Sequence, residues 1–310
     1  MTSAEIVQAA AALKQGWLVA FPTETVYGLG ADAENPEAVA RIYRAKGRPA
    51  DHPLIVHIST AEVVDQWARE VPDYARTLAH DFWPGPMTLI FSRSSRAGDC
   101  VTGGQDTVGL RVPSNEIAQN LLAEFERLGG FGVAAPSANR FGKVSPTTAA
   151  AVREELNEYL DFSDIVLDGE QSEVGIESTI IDCTAEAPRI LRPGAITAEM
   201  IERSTGLRVK DADTTIRVSG SLDSHYAPRA TVVLNEKALP GDGLIALSTE
   251  ATEEGVVRLA APKTTADYAK QLYAALRKAD ELGLSRVVAI TPDGDDIAVA
   301  IVDRLRRASF

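Results

Sequence analysis

Cysteine is nearly absent from this chain: 310 residues contain two, Cys100 and Cys183. Two thiols cannot build a disulfide framework or a thiolate zinc site, and neither lies in a paired motif. Inert thiols in a reducing interior are the default. Long apolar runs are missing too, so no segment reaches the ~20 residues of a membrane-spanning helix. The opening Met1-Thr-Ser-Ala-Glu5 lacks a basic-then-apolar signal, and the expected compartment is the cytoplasm. Positive charge is scarce, with 31 Lys and Arg against 44 Asp and Glu, a formal charge of −13. Gripping a nucleic-acid backbone requires a basic face, so strong direct nucleic-acid binding is not expected. Also absent are a Gly-x-Ser-x-Gly elbow, a metalloprotease helix and a Walker-type phosphate loop. No metal-ligand set is evident: His52 and His57 lie five apart without further ligands at compatible spacing.

What is there is concentrated first between Phe21 and Ile58. A buried strand, Leu18–Phe21, runs into Pro22 and the hydroxyls of Thr23 and Thr25. Gly28 and Gly30 suit a tight turn. Asn35-Pro36 caps a helix from Glu37 to about Lys46, and Gly47 suits its C-terminal end. Arg41, Arg44, Lys46 and Arg48 then place four cations within eight residues. The helix dipole alone could account for Lys46. Against the acidic background the patch suits a small polyanion in a cleft. The stiff turn through Pro49, Asp51, His52 and Pro53 leads into a second buried strand, Leu54–Ile58, that holds His57.

The pattern beyond predicts a helix capped by Thr60 that includes Val63, Val64 and Trp67, and another near Asp73–Phe82. Strands are expected at Met87–Phe91 and Val108–Val112. Ser114 or Asn115 should cap a helix ending at Gly129-Gly130, before a strand at Phe131–Ala135. Pro146 should open a further helix, followed by strands at Ile165–Leu167 and Ser178–Asp182. From about Leu207 to Arg229 the periodicity fades into a linker. A smaller unit follows, with strands at Thr231–Leu234, Gly243–Leu247, Val256–Leu259 and Arg286–Ile290. Its helices are expected near Thr265–Leu282 and Asp295–Arg307. The expected fold class is α/β: a twisted mixed sheet with flanking helices in residues 1–206, a linker over 207–230, and a Rossmann-like unit over 231–310. That unit has no Gly-x-Gly-x-x-Gly after its first strand, so dinucleotide binding there is unsupported.

Two further signals carry chemistry. Between Phe131 and Ser145 a strand runs into a loop with Ser137, Asn139, Arg140 and Lys143, and Ser145 sits where an N-cap and an anion site would coincide. In Thr107-Val108-Gly109-Leu110-Arg111 an arginine interrupts an apolar strand. Its partner is either an internal carboxylate or a bound carboxylate or phosphate. Cations, hydroxyls and glycines without an obvious nucleophile suit phosphoryl or nucleotidyl transfer, where positioning and charge do most of the catalysis.

Read together, Pro22-Thr-Glu-Thr-Val-Tyr-Gly-Leu-Gly30, Lys46-Gly-Arg-Pro49, Pro53-Leu-Ile-Val-His57, Trp83-Pro-Gly-Pro-Met-Thr88, Arg111-Val-Pro113, Ala135-Pro-Ser-Ala-Asn139 and Glu177-Ser-Thr-Ile180 resemble the YrdC/Sua5 family. Leu191-Arg192-Pro-Gly194, His225-Tyr226-Ala-Pro228 and the second α/β unit resemble its longer, two-domain Sua5 form. The resemblance implies an L-threonylcarbamoyladenylate synthase, which makes threonylcarbamoyl-AMP and pyrophosphate from L-threonine, bicarbonate or carbon dioxide, and ATP. The product serves a tRNA threonylcarbamoyl-transferase complex that modifies the adenosine beside the anticodon. It further implies that Thr25, His57, Arg111 and the Ala135 backbone hold threonine. Lys46, Arg48, His52, Thr107, Ser137, Asn139 and Ser145 would hold ATP, with Lys46 and Arg48 as the catalytic cations. Arg192, His225 and Tyr226 would close over it, and Mg2+ would accompany the phosphates. The family usually has asparagine where this chain has His52. Its linker usually reads Ser-Pro-Gly with a cation before His-Tyr, against Val218-Ser-Gly-Ser-Leu-Asp-Ser224 here. Two other readings are a carbamoyl-adenylate-forming maturation factor and a double-stranded RNA-binding module. The first needs zinc-finger cysteines this chain lacks, and the second needs a basic face.

Overall fold

The computed structural model describes residues 2–211, 215–220 and 225–309. Its larger sheet is built from β1 (Val19–Phe21), β2 (Gly28–Asp32), β3 (Ile55–His57), β4 (Ala68–Arg69), β5 (Met87–Arg93), β6 (Thr107–Arg111), β7 (Val133–Ala134), β8 (Ile165–Val166), β9 (Thr179–Asp182) and β10 (Arg189–Arg192). The order is β10-β9-β5-β6-β3-β7-β2-β1-β8, with β4 paired to β5. The sheet is mixed: β3 runs parallel to β6 while β7 lies antiparallel on its other side. Its helices are α1 (Ser3–Lys14), α2 (Pro36–Lys46), α3 (Val64–Trp67), α4 (Asp73–Phe82), α5 (Asp99–Thr102), α6 (Glu116–Arg127), α7 (Ala149–Leu156) and α8 (Ala198–Thr205).

Local signals explain most of these elements. Asn35 Oδ1 accepts the backbone N–H of Glu37 and Ala38, Pro36 opens α2, and Gly47 ends it in the left-handed conformation. Asn115 caps α6 in the same way. Three expectations change. Gly28 and Gly30 do not turn the chain but lie inside β2. A Cβ on Gly30 would stand 2.7 Å from Val133 Cγ1 and 2.8 Å from Phe21 Cε1, so close packing requires the glycine. The helix expected after Thr60 is a 3-10 turn followed by the single-turn α3, without a side-chain cap on the turn. Ser145 caps no helix: α7 starts at Ala149, and its cap is Thr148, which accepts from Ala151 N–H. Elements the periodicity did not reveal are α1, β2, β4, α5, β10 and α8.

The smaller sheet is all parallel, in the order β11-β14-β12-β13, from β11 (Thr231–Leu234), β12 (Gly243–Ile245), β13 (Val257–Ala260) and β14 (Arg286–Ala289). Helices α9 (Thr265–Glu281) and α10 (Ala298–Ala308) flank it. Its core takes in Val26, Val144 and Ile176 of the larger unit as well as Tyr268, Leu272, Tyr273, Ile301 and Leu305. The two units therefore share apolar packing. No helix among the described residues is long and apolar enough to cross a membrane.

Candidate active site

Register places the first two functional side chains. His57 and Arg111 are direct partners on the parallel strands β3 and β6, so both project from the same face of the sheet. On the other side of β3, Val56 pairs with Ala134, which brings the chain to Ala135 and Pro136 at the same level. The loop after β1 is shaped by Thr23. Its Oγ1 donates to Val26 O at 2.6 Å and accepts the backbone N–H of Thr25 and Val26 at 3.2 Å each. The Thr23 and Thr25 hydroxyls also lie 2.8 Å apart, within hydrogen-bond distance.

These elements close on a cavity of only about 50 Å³, lined among others by Thr25, Arg48, His57, Arg111, Ala135, Ser137, Arg192, His225 and Tyr226. Larger hollows lie elsewhere on the surface, but the convergent polar side chains are here. Five of its polar atoms are buried without a hydrogen-bond partner: Arg48 Nε, His57 Nδ1, Arg111 Nε, His225 Nδ1 and the Tyr226 hydroxyl. A buried polar atom left unpaired costs about 1–3 kcal/mol, and such a cluster marks a site built for a ligand.

Of the two partners expected for Arg111, the internal carboxylate is the one observed. Arg111 Nη2 donates to Glu24 Oε1 at 2.6 Å in a pair whose side chains are each 5% exposed. Glu24 Oε2 also accepts Ser114 N–H. The internal carboxylate thus takes one edge of the guanidinium, and Nε remains unpaired beside the cavity.

The basic run does not act as one patch. Arg41 pairs with Asp161 and Asp164 and donates to Gly16 O, and Arg44 is exposed. Lys46 is buried with Nζ 2.5 Å from both Ser137 O and Asn139 O, so it holds the 137–139 loop from behind. Burial, then the neighbouring Arg48, pull its pKa well below the usual lysine value. Only Arg48 enters the cavity. Its Nη2 donates to Pro53 O at 3.0 Å and Ser219 Oγ at 3.1 Å, and burial lowers its pKa to about 10, which leaves it charged at neutral pH. Arg192 donates to Ser178 O through Nε and Nη2 and to Ser219 O through Nη1. Two cavity arginines thus fasten the linker at Ser219. Gly220 follows at φ +84, where a Cβ would stand 2.3 Å from the Tyr226 hydroxyl, so no other residue fits without displacing that ring. Linker residues 221–224 lie outside the described residues.

Five sequence-predicted residues do not line the cavity: Lys46, His52, Thr107, Asn139 and Ser145. His52 is half-buried, edge-on to Phe141 at 5.3 Å. Thr107 starts β6 opposite Ser92. Asn139 Nδ2 donates to Arg140 O and Lys143 O, which shapes its own loop. Ser145 donates to Glu177 Oε1 at 2.7 Å and so adjoins the wall indirectly. Residues that the sequence reading gave no role include Glu24, the partner of Arg111, and Glu177 and Ser178. The visible signal for the first was a carboxylate in a loop otherwise apolar and hydroxyl-bearing.

Burial, with Arg111 adding to it, lowers the pKa of His57 to about 3. Burial does the same for His225, again to about 3. Both imidazoles stay neutral in the fold, whereas the unfolded chain takes up protons below pH 6.5. Stability should therefore fall as pH drops from about 6.5 toward 3. Urea unfolding midpoints measured across that window should decline for the parent chain. The decline should flatten in His225→Gln; an unchanged slope would assign it to other groups.

Comparison with known proteins gives the context. A family model described as "Telomere recombination" (Sua5_yciO_yrdC) matches residues 11–194, and "Threonylcarbamoyl-AMP synthase, C-terminal domain" (Sua5_C) matches residues 196–309. A threonylcarbamoyl-AMP synthase of Pyrococcus abyssi is 40% identical over 97% of this chain and 93% of its own length. One from Bacillus subtilis is 36% identical over 98% and 93%. The crystal structure of P. abyssi Sua5 complexed with L-threonine superimposes with a TM-score of 0.89 at 37% identity, covering 100% of this chain and 95% of that one. With both models matched in tandem over an α/β architecture shared with a solved member, this chain belongs to the YrdC/Sua5 family in its two-domain Sua5 form.

Proposed function

We propose that the cavity makes threonylcarbamoyl-AMP and pyrophosphate from L-threonine, bicarbonate or carbon dioxide, and ATP. The observation that carries this is the set of five unpartnered buried polar atoms, on two arginines, two imidazoles and one tyrosine, around one small cavity in which His57 adjoins Arg111. The relatives named threonylcarbamoyl-AMP synthase support the same reading. Arg111 Nε would take the threonine carboxylate, and the lone pairs of Thr25 would accept from its amine, beside neutral His57. The amine adds to carbon dioxide and loses a proton, giving a carbamate. A carbamate oxygen then attacks the α-phosphorus, the bond to the β-phosphate bridging oxygen breaks, and pyrophosphate leaves. The substrate supplies the nucleophile, so the protein has only to position and to stabilise charge.

Arg48 and Arg192 would meet the phosphates, and Lys46 would add positive potential through the loop it holds. As it stands, the cavity is far below the roughly 300–1,000 Å³ of a small-molecule pocket. ATP would therefore enter by displacing Ser219 from the two arginines. Among the described residues no three His, Cys, Asp or Glu side chains converge on a metal site. Magnesium would arrive on the triphosphate, which suits an ion that keeps several waters and binds through phosphate oxygens. We place the protein in the cytoplasm, where its unpaired Cys100 and Cys183 would stay reduced, supplying a tRNA threonylcarbamoyl-transferase complex.

Pyrophosphate release should require ATP, threonine and bicarbonate together, with a product of threonylcarbamoyl-AMP mass. Omitting any one in turn should reduce release to background. Release that persists without threonine would overturn the assignment.

A further inference from the structure

Glu177 stands two residues before β9 in the cavity wall, 6% exposed. Its Oε1 accepts the Ser145 hydroxyl at 2.7 Å. Its Oε2 accepts the Tyr273 hydroxyl and Arg304 Nε, each at 2.8 Å. Burial opposes a charge on this carboxyl, but Arg304 and then Arg192 outweigh it and hold its pKa down to about 2. It is therefore an anion at neutral pH, and two of its three donors come from α9 and α10 of the smaller unit. Arg304, itself 1% exposed, also donates to Pro193 O at 3.0 Å and pairs with Asp303 at 2.6 Å.

The same two side chains hold a second wall residue. Tyr273 stacks on Tyr226 with ring centroids 5.6 Å apart and planes 25° apart. The Arg304 guanidinium lies over the Tyr226 ring at 5.5 Å. Tyr226 has φ +61, a conformation that non-glycine residues adopt only when their surroundings enforce it. His225, which precedes it in the chain, packs edge-on against its ring with centroids 4.0 Å apart.

An ion pair that merely joins two units is the bland account. Apolar packing already joins them through Val26, Val144 and Ile176. A buried ion pair is also a poor adhesive, since apolar residues of the same volume commonly serve as well or better. What the pair does supply is direction. Glu177 is flanked by Ser145 on one side and in sequence by Ser178, which anchors Arg192.

We propose that Tyr273 and Arg304 are positioning residues for the nucleotide side of the cavity, acting through Glu177 and Tyr226, so that the smaller unit completes the site. This rests on the reading of the Arg48 and Arg192 wall as the place of ATP. Without these two side chains Glu177 and the 225–226 segment lose their fixed orientation, while the Thr25–His57–Arg111 end keeps its own contacts.

The test uses full-length Tyr273→Phe, Arg304→Lys and Glu177→Gln, with ATP affinity by calorimetry, the KM of each substrate for pyrophosphate release, and melting temperature. Tyr273→Phe keeps the stacked ring and removes one hydrogen bond to a charged acceptor. It should raise Kd and KM for ATP about tenfold and leave the KM for threonine within about twofold. Adding Tyr273→Phe to Glu177→Gln should cost less than the sum of the two. Variants that melt lower yet bind ATP like the parent would overturn the proposal, as would equal rises for both substrates. If the parent chain itself neither binds ATP nor releases pyrophosphate, the nucleotide reading falls and takes this proposal with it. A parent that binds beside variants that bind equally well sinks only the positioning role.

Discussion

Arg111→Ala is expected to remove most threonine-dependent pyrophosphate release, with kcat/KM for threonine falling about 10²-fold, the equivalent of about 3 kcal/mol for a lost charge-assisted contact. The complication is Glu24. With Arg111 gone, its carboxylate stays buried beside Ser114 N–H without a counter-charge, and breaking such a pair costs about 3–5 kcal/mol of stability. Loss of activity alone would then confuse folding with binding. The double variant Glu24→Gln, Arg111→Met removes both charges while keeping bulk, and should recover most of the stability. It should still bind no threonine by calorimetry. Threonine binding in that stable double variant would refute the carboxylate role of Arg111.

The second large effect is expected at Arg48. Arg48→Ala should lower kcat/KM for ATP about 10²-fold, the scale seen when one preorganised charge is removed from a reacting group. The threonine KM should change little, because Arg48 contacts Pro53 O and Ser219 rather than the Thr25–Arg111 end. Arg48→Lys keeps a charge but loses the planar fork that can meet two phosphate oxygens, so it should recover only part of the rate. Its stability should stay near that of the parent. Comparable losses for ATP and threonine would show that Arg48 supports the whole cavity and not the nucleotide.

These two arginines also show where sequence reading stops. Arg111 was visible as a charge in an apolar strand, and its two possible partners could be named. Which partner it has depends on Glu24, 87 residues away, brought opposite by the pairing of β6, β3 and β7 and the loop after β1. The four cations from Arg41 to Arg48 read as one polyanion patch because they are close in sequence. Helix geometry separates them: Arg41 turns to Asp161 and Asp164, Lys46 to backbone carbonyls, and Arg48 alone to the cavity. Ser145 looked like a cap because Pro146 follows it, yet the helix starts later and its hydroxyl serves Glu177.

By itself, the sequence determined what depends on neighbours a few residues apart. That covers the bounds of α2, α4 and α9, the parallel strands of the smaller unit, and the motifs that identify the family. Caps, prolines and periodicity act over one or two turns, so they are written locally. Only the tertiary structure decided which groups satisfy each buried charge. Arg111 found Glu24, Glu177 found Tyr273 and Arg304 from another unit, and Arg48 and Arg192 closed on Ser219 of the linker. A charge removed from water must be satisfied by whatever the fold brings within about 3 Å, and distance along the chain has no part in that choice.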